Sequence, residues 1–219
     1  MADQLTNLGT VGVGLTNSAG AGLNGQQVAM VCGPQQDQLT SQLHGKYFEQ
    51  ARRGNLFFAG ITGQVTTVGL ATTYTGLCLS NPVGSGKLLV VDRVSYAFLV
   101  AFAAGSAIGI MTGYNATTNV THTTPVTVRC SRINGSFANP AAVGLVDSSA
   151  TLPTAPVVHS LFDAGLTGAI TTMPKAGPNV VDLEGMIVLD PGAYCAIYTS
   201  TASGAASMAA AFQWHEIAA

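Results

Sequence analysis

Beyond Gly54 the large apolar side chains recur at every second position. In "VSYAFLVAF" (94–102), Val94, Tyr96, Phe98, Val100 and Phe102 fall on one side and Ser95, Ala97, Leu99 and Ala101 on the other. A period of two is that of a β-strand. Runs of the same kind are "NLFFAGI", "QVTTVGL", "TYTGLCLS", "KLLVVDRVSYAF", "AIGIMTGY", "PVTVRCSRI", "VVDLEGMIVL", "GAYCAIYTS" and "ASMAAAFQWHEI". Glycine- and proline-rich breaks separate them: "NPVGSG", "AAGS", "HTTP", "ANPAA", "LPTAP", "KAGPN" and "DPG". Short strands punctuated in this way predict an all-β chain, an antiparallel β-sandwich of jelly-roll type over residues 54–219. No fixed period repeats, which argues against a solenoid or propeller.

The helical period of 3.6 is found in one place. In "DQLTSQLHGKYFEQARRG" (37–54), Leu39, Leu43, Tyr47 and Ala51 form one row. Arg52 and Arg53 suit the negative end of the helix macrodipole, and Gly54 suits a C-cap. Gly45 weakens the middle, so the expected helix is short, over 46–53. Residues 1–45 are rich in Gly, Asn, Thr and Ser and lack a core of their own, and they read as an extended N-terminal arm. Its scattered anchors, Leu5, Leu8, Val11, Val13 and Leu15 among them, suit a segment laid along another protein, with main-chain hydrogen bonds to a sheet edge.

Composition changes this picture in one respect. Apolar residues make up 47% of the 219 residues and charged residues only 8%, against about 25% in an ordinary soluble domain. So little charge on so large a chain predicts that other subunits cover part of the surface. The small residues Ala205, Ala209 and Ala210 in the final strand are candidate subunit contacts, because they let neighbouring backbones approach closely. The net charge of −2 and the scattered Lys and Arg give no nucleic-acid footprint. The uncharged stretch 94–111 is long enough to span a bilayer, but it alternates, is broken by "AAGSA" as by a hairpin, and has no flanking basic cluster. The first residues have no basic and apolar leader pattern. Cys32, Cys78, Cys130 and Cys195 form no C-x-x-C pair, and buried free thiols are expected.

Candidate chemistry is sparse. Gly86-Lys87 completes part of a phosphate-binding loop, but Asn81 stands at its first glycine position and Leu88 at its Ser/Thr position. A strand follows where a helix should open, so "NPVGSG" reads as a turn and Lys87 as a solvated strand start. His44, His122, His159 and His215 have no metal-ligand spacing, with His122 and His159 expected in loops. Asp182 and Glu184 share one strand face, which suits calcium or acid–base work and, more simply, solvent. No cofactor, metal, small-molecule substrate or catalytic residue is expected.

The arm, "GKYFEQARRGNLFFAG", "TGLCLSNPVGSGKLLVVDRVSYAF" and "LDPGAYCAIY" together resemble capsid decoration (cement) proteins of tailed bacteriophages, in style over 45–219. The resemblance implies a trimeric jelly roll that binds the major capsid protein on the outside of an icosahedral head, in virions assembled in the host cytoplasm. A tail or fibre component is the alternative within that class. A lectin-like jelly roll is the alternative outside it, with Tyr114 in "TGYNATTN" as the loop aromatic. A hydrolase would need a Cys–His pair assembled in space.

Overall fold

The computed structural model describes residues 14–15, 27–28, 45–99, 102, 104–134, 137, 141–165, 179–203 and 208–219. The chain divides into two units, Met1–Gly45 and Lys46–Ala219. In the first, β1 (Gly14–Leu15) pairs antiparallel with β2 (Gln27–Val28). Leu15 is therefore in a strand, whereas Leu5, Leu8, Val11, Val13 and the remainder of the expected arm lie outside the described residues.

The second unit opens with α1 (Phe48–Arg53), two residues shorter than expected. Gly54 closes it with a left-handed φ of 79°, its N–H donating to the Ala51 carbonyl. A side chain rarely adopts that conformation, which is why a glycine stands there. Eleven strands follow: β3 (Leu56–Gln64), β4 (Thr73–Ser80), β5 (Lys87–Phe98), β6 (Ser106–Tyr114), β7 (Thr121–Val126), β8 (Arg129–Cys130), β9 (Leu145–Thr151), β10 (Val157–Gly165), β11 (Asn179–Leu189), β12 (Ala193–Thr199) and β13 (Met208–Ala218). They form a six-stranded sheet, β10-β6-β12-β4-β9-β7, and a five-stranded sheet, β11-β5-β13-β3-β8. Every pairing in them is antiparallel. The expected all-β antiparallel sandwich is what the chain forms.

The connections differ from the expected hairpins. "NPVGSG" joins β4 to β5, the "AAGSA" region joins β5 to β6, and Asp190–Gly192 joins β11 to β12, and each crosses from one sheet to the other. In this unit no two consecutive strands among those described pair with each other. The pairs are nested instead: β3 with β13, β4 with β12, β5 with β11 and β6 with β10. The uncharged stretch 94–111 is thereby divided between β5 and β6, and no described helix is long and apolar enough to cross a membrane.

Alternation decides the core. Along β13, Met208, Ala210, Phe212, Trp214 and Glu216 are buried in turn. The first four meet Leu77, Leu79, Leu89, Val91, Val94, Ile108, Ile110 and Ile197 between the sheets. Burial of a side chain of this size contributes about 1.5–3 kcal/mol. The other face of the six-stranded sheet carries a second cluster of Tyr74, Cys78, Met111, Val120, Ala150, Leu152, Tyr194 and Ala196. Cys195 and Cys78 thus lie on opposite faces. Cys78, Cys130 and Cys195 are free and buried, as expected, and Cys32 lies outside the described residues.

Glu216 is the carboxylate at an inward position of β13. Its oxygens accept hydrogen bonds from the Val143 and Gly144 N–H groups at 2.9 Å, from Trp214 Nε1 at 3.4 Å and from Lys87 Nζ at 2.9 Å. Lys87 is therefore not the solvated residue expected. It begins β5, but its ammonium neutralises a carboxylate only 1% exposed. Lys87→Ala is expected to cost about 1–2 kcal/mol, between a surface and a buried pair, because Lys87 is itself part-solvated. Chemical denaturation of the two proteins checks this; equal midpoints would remove the ion pair from the account.

The "NPVGSG" turn is built from inward polar contacts. Asn81 is buried and donates its amide N–H groups to the Lys87 and Leu189 carbonyls at 2.7 and 2.8 Å. Ser85 Oγ donates to Asn81 Oδ1 at 2.6 Å. Gly84 and Gly86 take φ of 76° and 68°. The loop ties one sheet-crossing corner to another, since Gly192 N–H also donates to the Asn81 carbonyl at 2.8 Å.

Candidate functional site

An open groove of about 640 Å³ lies where β6, β12, β10 and β11 converge. Thr112, Gly113 and Tyr114 come from β6, Thr154 and Ala155 from the loop before β10, and Val157 and His159 from β10. Met186 to Leu189 of β11, Asp190, Ala193 and Tyr194 complete it. Among the described residues β10 and β11 are each the outermost strand of a sheet. The base of the groove is rigid. Tyr194 Oη donates to the Thr154 carbonyl at 2.5 Å, Thr154 Oγ1 to the Tyr114 carbonyl at 3.3 Å, and Asn115 N–H to the Gly192 carbonyl at 3.0 Å.

Part of the lining is apolar and exposed: Val157 and Met186 are each 66% exposed, and Tyr114 and Val188 are exposed as well. Asp190 and His159 line the groove beside the phenols of Tyr114 and Tyr194, and His159 Nδ1 lies 2.7 Å from Ser160 Oγ. Tyr96 reaches from β5 across to Asp163 of β10, and its phenol is pushed up to about 12, first by burial and then by the Asp163 charge.

Burial raises three phenols in all, Tyr74, Tyr96 and Tyr194. Because the folded values lie above the unfolded value of about 10, the stability they contribute is complete below about pH 10. It is lost as pH rises through the folded values, since the unfolded chain then binds fewer protons. The buried thiols of Cys78 and Cys195 are raised as well, and an unfolded cysteine titrates at about 8.5. The melting temperature is therefore expected to begin falling above about pH 8.5 and to fall more steeply between about pH 10 and about pH 12, the value to which Tyr96 is raised. Calorimetry against pH checks this, and a flat profile to pH 12 would contradict it.

The histidines are placed differently from the sequence expectation. His122 and His159 lie in strands β7 and β10, not in loops. His122 Nδ1 pairs with Oδ2 of buried Asp147, whose Oδ1 has no hydrogen-bond partner among the described residues. His215 Nδ1 pairs with Asp92 Oδ2 at 2.8 Å. Cys78 stands opposite Asp147 in the β4–β9 register, yet no hydrogen bond joins it to His122 among the described residues. Burial, with Cys195 and Asp147 adding to it, holds that thiol well above its usual range. A protonated, sealed thiol is a poor nucleophile.

The carboxylates at 182 and 184 also separate. Asp182 Oδ1 accepts from Arg93 Nε at 2.6 Å, and Glu184 Oε1 lies 2.8 Å from Lys46 Nζ. Among the described residues no three His, Cys, Asp or Glu side chains gather as metal ligands.

Two of the candidate assembly residues, Ala209 and Ala210, lie in β13. Ala210 faces the core, Ala209 lies half-buried on the opposite face of its strand, and Ala205 is outside the described residues. The apolar edge went unrecognised in the sequence although a signal was present: Val157-Val158 and Met186–Leu189 are consecutive apolar runs, not alternating ones. No family model, curated protein or solved structure matches the chain.

Proposed function

We propose that this chain is a non-catalytic structural protein of a virus particle, one that decorates the head of a tailed bacteriophage and stabilises it by burying apolar surface against its neighbours. The observation that carries the reading is the β10–β11 edge, where exposed apolar side chains surround an open groove. Isolated soluble chains rarely leave such a patch uncovered. The charge content of 8% supports the same conclusion. The nested strand order supports the jelly-roll assignment. Taking β3, β4, β5, β6, β10, β11, β12 and β13 as first to eighth, the pairs are first with eighth, second with seventh, third with sixth and fourth with fifth. That order arises when one long antiparallel stack is wrapped around a core. Many modest contacts repeated on a symmetric shell add through multivalency.

The test is co-sedimentation of the purified chain with heads assembled without it, followed by thermal rupture of the loaded and bare heads. Saturable binding and a higher rupture temperature are expected. Binding to tails alone moves the protein to the tail or fibre class, and absence of binding to any part of the particle overturns the reading.

Tyr114 favours a second reading, a lectin-like module, because its ring is exposed at the groove beside Thr154, His159 and Asp190. Glycan-array binding abolished by Tyr114→Ala would support it over the structural reading.

A further inference from the structure

We propose that residues 46–53 form a latched strap, hinged on the sandwich at Gly54 and fastened at Lys46 and Tyr47, that swings off as a unit while both sheets stay folded. The proposal goes beyond the assembly reading and does not depend on it. α1 buries none of its residues, so the core between the sheets does not hold it. A helix of six residues is too short to persist in water without support. Its order therefore comes from its two ends, and these are built differently.

The C-terminal end is a hinge set in the sheet. The Asn55 carbonyl accepts from the Glu216 N–H at 3.1 Å, and the Leu56 carbonyl accepts from the Ser131 N–H at 2.8 Å. Leu56 and Phe57 are buried. Arg132 Nη1, donating to the Arg52 carbonyl at 3.0 Å, holds the last helical turn beside this hinge.

The N-terminal end is held by charge. Lys46 Nζ lies 2.8 Å from Glu184 Oε1, and both side chains are exposed. The Tyr47 ring centroid lies 5.3 Å from Lys46 Nζ and 5.8 Å from Arg93 Cζ. Arg93 Nε donates to Asp182 Oδ1 at 2.6 Å. Two cations and two carboxylates thus form the fastening around one ring, a set without net charge. Glu184 supplies its part from a strained backbone. Its φ is 52°, where β11 leaves register with β5 between Asp182 and Ile187. Residues with a side chain avoid that conformation, and strain of this kind collects at switch segments. Exposed ion pairs contribute little and are screened by salt. The latch can therefore open without the core following. When it opens, the fixed point of the chain moves from Lys46 to Asn55, and residues 46–54 add about 30 Å of extended chain to the reach of the segment that precedes them.

Hydrogen exchange of the full chain tests this. The Ala51 and Asn55 amides donate to the Tyr47 and Gln50 carbonyls at 3.0 Å in the closed strap. Their exchange should speed up about threefold between about 0.05 and about 1 M NaCl, and about threefold in Lys46→Ala at low salt. Lys46→Arg, which keeps the charge, should stay near the parental rate. Exchange across 208–218 should not change. Glu184→Gly should loosen the strap without lowering the melting temperature, because glycine relieves the strain. In a Cys32→Ser background, spin labels at Gln50→Cys and Val188→Cys should give a single distance at low salt and a second, longer one at high salt. Strap exchange indifferent to both salt and Lys46→Ala would overturn the latch. A single label distance at both salts would show a helix that frays in place and would overturn the swing. Exchange across 208–218 rising in step with the strap would make strap and sheet one unit and overturn the hinge.

Discussion

Glu216→Ala is expected to lower stability by about 3–5 kcal/mol, the usual cost of removing one member of a buried, hydrogen-bonded ion pair. For a unit of this size the melting temperature should then fall by roughly 6–20 °C. The side chain sits where alternation along β13 calls for a hydrophobe, and it is tolerated because four donors converge on it. Alanine leaves the Val143 and Gly144 N–H groups without their acceptor and the Lys87 ammonium without its counter-ion. Pairing this change with Lys87→Ala in a double-mutant cycle separates the ion pair from the backbone contacts. If the ion pair is all that Lys87 contributes, Lys87→Ala will cost almost nothing in the Glu216→Ala background, and its cost in the parent is then the coupling energy of the pair. An alanine variant within about 1 kcal/mol of the parent would show that the loop at 143–144 finds other acceptors and that the anchor is dispensable.

Gly109→Val is expected to cost about 3 kcal/mol, at the upper end for overpacking, and to do so locally. A Cβ at Gly109 would overlap the Ser160 carbonyl oxygen and lie 3.0 Å from Leu161 Cα, so backbone and not a yielding side-chain tip stands in the way. Among the described residues β10 pairs with β6 and with no other strand. The strain is relieved by lifting β10 away while β12 and β13 hold. Hydrogen exchange should accelerate across 157–165 and stay unchanged across 208–218. Uniform acceleration over both segments would mean that β10 is part of one cooperative unit with the core.

The strands were legible because an antiparallel sandwich with one buried face imposes a period of two, and the short helix because Arg52, Arg53 and Gly54 mark its end. Their partners were not legible. "NPVGSG", "AAGSA" and "DPG" are turn sequences, and a turn sets only the local change of direction. Whether the next strand joins the same sheet or the facing one depends on how both sheets bury their inner faces, and here each of those turns crosses over. The same long-range pairing hid Lys87–Glu216, His122–Asp147 and His215–Asp92, whose members lie 129, 25 and 123 residues apart. The alanines of the final strand suggested a contact surface, but alternation turns Ala210 inward. The exposed apolar positions were marked by the consecutive apolar residues Val157-Val158 and Met186–Leu189: burial still alternates along β11, but Met186 and Val188 put apolar side chains on its outward face.

The nested pairing has a consequence for how the protein is made. β13 lies between β3 and β5, and Leu56 is opposite His215, so the five-stranded sheet closes only by joining segments from the two ends of the unit. No described hairpin of neighbouring strands in this unit can form early and serve as a local nucleus, and folds dominated by such distant contacts acquire their structure over milliseconds to seconds. During translation β3 and β5 emerge long before residues 208–218 exist, and until then both present open edges on the side that β13 will fill. Exposed strand edges of this kind invite pairing with other chains. The interval of greatest aggregation hazard therefore falls on the ribosome, before the sheet is complete, and yield on expression should depend more on translation speed and chaperone supply than on the stability of the finished sandwich.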